Sequence, residues 1–173
     1  MITIGIDPGT ATTGFGIIEK TSKGEIRLLD YGCIKTATRL EMGTRLNQIA
    51  QDLKTLIKKW KPTRASIEKI FFSKNVKTAI TVAQARGVIL QIFEENQIAQ
   101  DEYTPLQVKS AVCGYGKADK KMVQEMIKII LNLSKVPKPD DAADAIALAL
   151  CSVNSLRQLK TKGKKPLQFY GEL

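Results

Sequence analysis

Asp7, Glu68, Asp140, Asp141 and Asp144 are carboxylates in settings that suit chemistry better than surface charge. Asp7 closes the strand-like run ITIGID, and Pro8-Gly9 then turns the chain sharply, presenting the side chain at the strand end. Glu68 lies inside ASIEKIFF, a compact β-prone run. A carboxylate buried there must be paired, protonated or bound to a cation. PDDAADAIALAL has the alanine-rich, apolar character of a buried helix, yet opens with three acids. Asp141 and Asp144 stand at i,i+3 and Asp140 and Asp144 at i,i+4, so either pair shares a helix face.

Each acid also has a plainer explanation. Asp7 could bond its own backbone in an Asx turn. Glu68 could sit at the wet end of its strand beside a lysine. Acids at a helix N-terminus are favoured by the macrodipole, which accounts for Asp140 and Asp141 but poorly for Asp144, deeper among alanines. A strand-end acid, a strand-interior acid and a helix-start pair together outline one convergent set of oxygens. Such a set suits Mg²⁺, which prefers oxygen ligands and keeps several waters. Two such ions ~3.5–4 Å apart can activate a water and stabilise the leaving oxygen of a phosphodiester.

The rest of the composition is compatible with that chemistry. Histidine is absent, which removes the usual base near neutral pH and the commonest transition-metal ligand. Cys33, Cys113 and Cys151 are far apart and form no CxxC pair, so they read as small hydrophobes in a reducing compartment and not as a zinc site. Lys+Arg number 27 against 17 Asp+Glu, a net charge of +10. That excess favours a polyanionic partner, nucleic acid before an anionic membrane surface, over mere solubilising charge. The strand-like start shows no signal peptide, and no apolar run approaches the ~18 residues of a membrane span. The expectation is a cytoplasmic protein without membrane association.

The elements that must position these residues read as βββαβαβααα. Residues 2–36 hold three strands, with Ser22-Lys23-Gly24 as one turn. Strands joined so closely should be antiparallel neighbours. Leu46, Ile49, Leu53, Leu56, Ile57 and Trp60 recur at helical spacing before Pro62. A fourth strand, RASIEKIFF, precedes a long helix over about 75–96, and a short fifth strand follows near 99–103. Thr104 and Pro105 suit the cap and first position of a short helix, and Asp119 the cap of the next. The last helix is expected over 140–159. One domain over 1–159 follows, an α/β fold with a five-stranded mixed sheet flanked by helices, and then a basic, flexible tail over 160–173.

IGIDPGTATTGFGII, SIEKIFFSKNVKTAITVAQARGV, YTPLQVKSAVCGYGKADKKMVQ and DDAADAIALAL, in this order and spacing, resemble the RuvC family of bacterial Holliday junction resolvases. The resemblance covers most of residues 2–150. It implies an RNase H-like fold and a homodimer. It also implies a crossover junction endodeoxyribonuclease, dependent on Mg²⁺ with Mn²⁺ able to substitute, that makes paired symmetric nicks in a four-way DNA junction during recombination and repair. Two ions per active site are expected. The family's four acids fall on Asp7, Glu68, Asp141 and Asp144, and the DAAD match favours Asp141 over the adjacent Asp140. The first of the helical pair is sometimes histidine in such resolvases, whereas here it is aspartate. The family's base-stacking aromatic, three residues after the strand glutamate, falls on Phe71. Strand alternation puts Phe71 and Phe72 on opposite faces, so one can be core while the other reaches outward. Lys109 and Lys120 match family lysines near the DNA, and Lys121, Lys74 and Arg86 are further candidate contacts. A branch-migration motor is an implied partner.

Three other readings compete. Another RNase H-like nuclease, acting on a different nucleic-acid structure, would carry the same acids. An ATP-binding domain of the actin and sugar-kinase type has a first phosphate loop resembling GIDPGTATTG, but needs a second domain and loop. A nonenzymatic DNA-binding module leaves Glu68 and Asp144 unexplained.

Overall fold

The computed structural model describes residues 1–69 and 76–162. Three strands open the chain: β1 (Ile2–Asp7), β2 (Thr12–Lys20) and β3 (Ile26–Lys35). They are followed by α1 (Met42–Trp60), β4 (Arg64–Glu68), α2 (Val76–Glu95) and β5 (Ala99–Tyr103). Three helices close it: α3 (Pro105–Cys113), α4 (Lys120–Ile130) and α5 (Asp140–Lys162). The sheet order is β3-β2-β1-β4-β5. β2 is antiparallel to β1 and β3, whereas β4 is parallel to β1 and β5. The mixed five-stranded sheet expected from the sequence is therefore present. β4 ends at Glu68, short of the expected run, whose last residues, together with Phe71 and Lys74, lie outside the described residues. The last helix runs three residues past its expected end, to Lys162.

Strand periodicity divides the sheet into two unlike faces. Ile4, Ile6, Ile17, Ala65 and Ile67 point to one side and pack with α1 and α2 through Ile49, Leu53, Ile89 and Phe93. The alternate residues of β1 and β4, namely Thr3, Gly5, Asp7, Arg64, Ser66 and Glu68, point to the other. That face is covered by α5, with α3 and α4 outside it. α5 is buried all round from Ala145 to Val153, because the sheet lies below it and two helices lie beside it. This explains its alanines: a helix enclosed on several sides needs small residues on more than one face.

The close seat of α5 also depends on glycines in the strands beneath. A methyl group at Gly5 would meet the Ala145 carbonyl, one at Gly14 the Asp141 carbonyl, and one at Gly16 the Ile146 side chain at 2.7 Å. The helix can lie on β1 and β2 only because those positions carry no Cβ. Its first two turns thereby sit over the strand that ends in Asp7.

Candidate active site

Four acids reach one edge of the sheet from three elements. β1 and β4 are parallel neighbours, with Gly5 opposite Ser66 and Ile6 opposite Ile67. One step further along the same register, Asp7 and Glu68 fall side by side on the α5 face. Asp141 and Asp144 come down onto them from the start of α5. The carboxyl ends of parallel strands are where open α/β sheets hold their ligands.

The electrostatics record this convergence. Burial raises the Asp7 carboxyl, and the charges of Glu68, Asp144 and Asp141 raise it further. Against the opposing pull of Lys120 it reaches about 7, from an ordinary value of 3.8. Burial, then the charge of Asp144, also raises Glu68. The Asx-turn reading of Asp7 does not hold, whereas Glu68 is the last residue of β4 and half-buried, not interior to the strand as expected. Among the described residues Asp7 accepts no hydrogen bond from its own turn, which is held instead by the Thr13 hydroxyl donating to the Gly9 carbonyl at 2.6 Å. Glu68 likewise meets no lysine among the described residues.

Asp140 is separated from this group. Its carboxylate accepts hydrogen bonds from Lys138 and Gln124, each at 3.0 Å, with Lys120 at 3.5 Å. The Lys138 and Gln124 contacts, then the Lys120 charge, hold it down at about 2. Asp140 does not figure among the charges acting on Asp7. Asp141 thus acts on Asp7 where Asp140 does not, although Asp141 does not itself line the cleft that Asp7, Glu68 and Asp144 share.

Lys120 closes one side of the site. Its ammonium donates to Asp144 at 2.9 Å. Burial pulls its affinity for the proton down, but the Asp144 hydrogen bond and charge, with Asp140 behind them, outweigh this and raise it. Two helix caps fix where it stands. At α3, Thr104 and Gln107 form a reciprocal capping box, with N···O distances of 3.1 and 2.8 Å. At α4, Asp119 accepts from the Met122 amide at 2.8 Å, which makes Lys120 the first helical residue. Between these helices and the sheet lies a cleft of about 250 Å³. Asp7, Glu68, Asp144, Lys109 and Lys120 line its polar side, and Pro105, Val108, Val123, Ala147 and Leu148 its apolar side.

The other expected contacts are more dispersed. Lys121 is exposed on α4, beside Lys120. Arg86, on α2, faces away from the cleft and pairs with Glu102 of β5 at 2.6 Å. Phe71 and Lys74 cannot be placed, since they lie outside the described residues. Sequence reasoning missed the glycines beneath α5, although the i,i+2 pair Gly14 and Gly16 in a β-branched run was a visible signal of close approach. Cys33, read from sequence as a small hydrophobe, lies opposite Gly14 and is half-buried. Burial, then the Asp141 charge, raises its thiol.

Four oxygen-donor side chains, the raised Asp7 among them, suit a hard divalent cation by donor type and by charge. Among the described residues, no three carboxylate, thiol or imidazole groups already close on one ligation point. The acids are grouped, and Lys120 partly neutralises them.

The model of the family described as "Crossover junction endodeoxyribonuclease RuvC" matches residues 3–152. This chain belongs to the RuvC family. The crossover junction endodeoxyribonuclease RuvC of Halothermothrix orenii is 49% identical over 165 residues, covering 95% of this chain and 99% of the relative. That of Syntrophomonas wolfei is 52% identical over 157 residues, covering 91% of each. Among solved structures, Thermus thermophilus RuvC in complex with a Holliday junction substrate superposes with a TM-score of 0.87 at 31% identity, over 91% of this chain and 96% of that one. The sheet and helices are thus those of the RNase H-like RuvC fold expected from the sequence.

Proposed function

We propose that this RuvC-family chain resolves four-way DNA junctions by metal-assisted phosphodiester hydrolysis, making paired symmetric nicks in recombination and repair. The observation that carries this is the meeting of Asp7, Glu68, Asp141 and Asp144 at one sheet edge, with Asp7 raised to about 7 by burial and by the other three. Those four acids would hold the cation, Mg²⁺ or Mn²⁺, with two ions per site. When bound, it supplies an activated water and charge stabilisation at the leaving oxygen.

The chain's own residues do the rest. Lys109 and Lys120 stand at the cleft wall, where they would engage phosphate oxygens flanking the scissile bond. Lys121 extends this cationic rim. The apolar wall excludes water from one side and strengthens every charge interaction inside. Phe71, with Lys74, belongs to the proposal through family resemblance: stacking a base at the junction is worth ~1–3 kcal/mol. Arg86 acts on DNA only if it leaves Glu102, which ranks it below the cleft lysines.

The substrate supplies an argument for a homodimer, because two symmetry-related strands call for two sites related by a two-fold axis. α2 offers a surface for it, since Ile80 is 56% exposed there. A branch-migration motor is the further partner that the resemblance implies. No helix among the described residues is long and apolar enough to cross a membrane, and the proposed compartment is the cytoplasm.

The test is nicking of a synthetic four-way junction beside a linear duplex of the same sequence, in Mg²⁺ and in EDTA. Metal-dependent, symmetrically paired nicks in the junction alone are expected. Equal cleavage of both substrates would favour a less selective RNase H-like nuclease. Binding without cleavage in both Mg²⁺ and Mn²⁺ would overturn the enzymatic reading.

A further inference from the structure

Arg45 has a charge that no acid among the described residues matches. It lies in the first turns of α1 and is only 9% exposed. Its Nε donates to the Thr36 hydroxyl at 2.9 Å, and Thr36 in turn bonds the Thr10 carbonyl. Its two Nη groups have no hydrogen-bond acceptor among the described residues, and no carboxylate pairs with it. Two other partly buried arginines behave differently. Arg64 meets Asp101 at 2.9 Å and Arg86 meets Glu102 at 2.6 Å. Arg45 is thus a mostly buried arginine without an acid among the described residues, and its Nη nitrogens, which are not buried, stay open to an anion from solvent.

The surroundings favour an anion. Glu41 occupies the N-cap of α1 but gives no side-chain cap, and the first turn holds no acid. The amides of Met42, Gly43 and Thr44 are therefore free of helix or cap partners, at the positive end of a 19-residue dipole. Side chains lean toward the N-terminus of their helix, and Arg45 extends from the first turns of α1 to meet Thr36 just before it. Lys35 and Arg39 add exposed positive charge on the way into α1. The location also fits. β1 ends, β2 begins and β3 ends at one edge of the sheet, so Thr10, Thr36 and the start of α1 share the edge that carries Asp7. α1 itself packs on the sheet face opposite α5, so the two meet only at this edge.

We propose that Arg45 and the uncapped start of α1 form a binding site for a backbone phosphate of the DNA, on the β3 flank of the active site. The inference rests on the reading that the chain binds junction DNA. It gives the DNA an anchor besides the α3–α4 lysines. The phosphate supplies the missing counter-charge and accepts from both Nη and backbone amides.

The test is binding of a fluorescent four-way junction, and of a linear duplex, in EDTA between 50 and 200 mM salt, with thermal melts alongside. Arg45→Met removes the guanidinium. Thr44→Glu places a carboxylate in the exposed first turn, where it suits the helix dipole yet competes with a phosphate. Both variants should lower affinity, Arg45→Met by about tenfold. Both should also flatten the log–log salt slope by about 0.9, so that wild type loses an extra ~3-fold across that salt range. Thr44→Glu should melt no lower than wild type. Wild-type slope in both variants would overturn the site. So would a loss confined to Arg45→Met and accompanied by a lowered melting temperature, which would make Arg45 a structural residue. Junction nicking by the wild type is scored separately. Nicking with unchanged slopes defeats the phosphate site alone, whereas flattened slopes without nicking keep the site and defeat the resolvase reading.

Discussion

Replacing Asp7 by Asn should make the metal-free protein more stable at alkaline pH while destroying its activity. In the fold the Asp7 carboxyl sits at about 7 instead of 3.8, because burial and three other acids oppose its ionisation. A group raised on folding stabilises the fold fully below its unfolded value, and that stabilisation is lost as pH rises through the folded value. The window therefore runs from about 4 to about 7. A rise of that size is roughly a thousandfold in proton affinity, or ~4 kcal/mol at pH 8. At pH 5 Asp7 is already protonated in the folded protein, and the penalty shrinks to ~1.5–2 kcal/mol. Asn carries no charge, but its amide brings unmet hydrogen bonds that take back ~1–3 kcal/mol.

The net expectation in EDTA at pH 8 is a gain of ~1–3 kcal/mol for Asp7→Asn, a Tm rise of about 3–10 °C for a chain of this size. At pH 5 the gain should vanish or reverse. Melting of both proteins by circular dichroism from pH 5 to pH 8 measures this directly. Saturating Mg²⁺ should reverse the ranking at pH 8, since a ligand held at 100 times its Kd adds ~2.7 kcal/mol to the wild type alone. If Asp7→Asn melts below wild type at pH 8 in EDTA, or the difference does not change with pH, the four acids do not share the field argued for them.

Other perturbations separate the parts of the site. Asp141→Asn should lower nicking by on the order of a thousandfold, as loss of an essential charged group does, whereas Asp140→Asn should change it by less than about fivefold; equal effects in junction cleavage assays would contradict the separation of Asp140. At subsaturating Mg²⁺ the nicking rate should fall as pH drops through about 7, because protons compete for Asp7, and added Mg²⁺ should move the midpoint down; a midpoint indifferent to metal would count against this. Gly16→Ala should cost ~1–3 kcal/mol by overpacking against Ile146 and reduce cleavage more than junction binding, since it displaces the helix that carries Asp141 and Asp144; unaltered melting and cleavage would show that α5 adjusts freely.

Much of the fold was legible because it depends on local periodicity. The short turn after Lys20, the helical spacing from Leu46 to Trp60 and the caps at Thr104 and Asp119 each act within a few residues, and each element appears where its pattern lies. Asp7 and Glu68 could be singled out by their strand settings. Their adjacency could not, because it depends on β1 and β4 pairing in one particular register across more than fifty residues of chain. The same limit applies to charge partners. Arg86 looked like a free cation in sequence, but the packing of α2 against β5 brings it to Glu102. Asp140 and Asp141 are equivalent as letters. Only the positions of Lys138 and Gln124, one before the helix and one on α4, draw the first of them away.

α5 shows why a helix would carry negative charge into a packed region. Its middle is enclosed on every side and depends on Gly5, Gly14 and Gly16 for its seat, so it has little freedom to shift or rotate. A seat that close fixes Asp141 and Asp144 relative to Asp7, whose strand lies directly beneath. Burial, and then the charges of Glu68, Asp144 and Asp141 held near it, raise Asp7. For the proposed cation, the same rigidity would limit the conformational entropy these acids give up on closing around it. Lys120 moderates the repulsion through a contact that is about half exposed on the lysine side, so it can be exchanged for phosphate without disturbing the core. The packing that makes α5 a core helix is thus also what makes its first acids usable. A looser helix would ionise Asp7 more readily but would hold a cation less well.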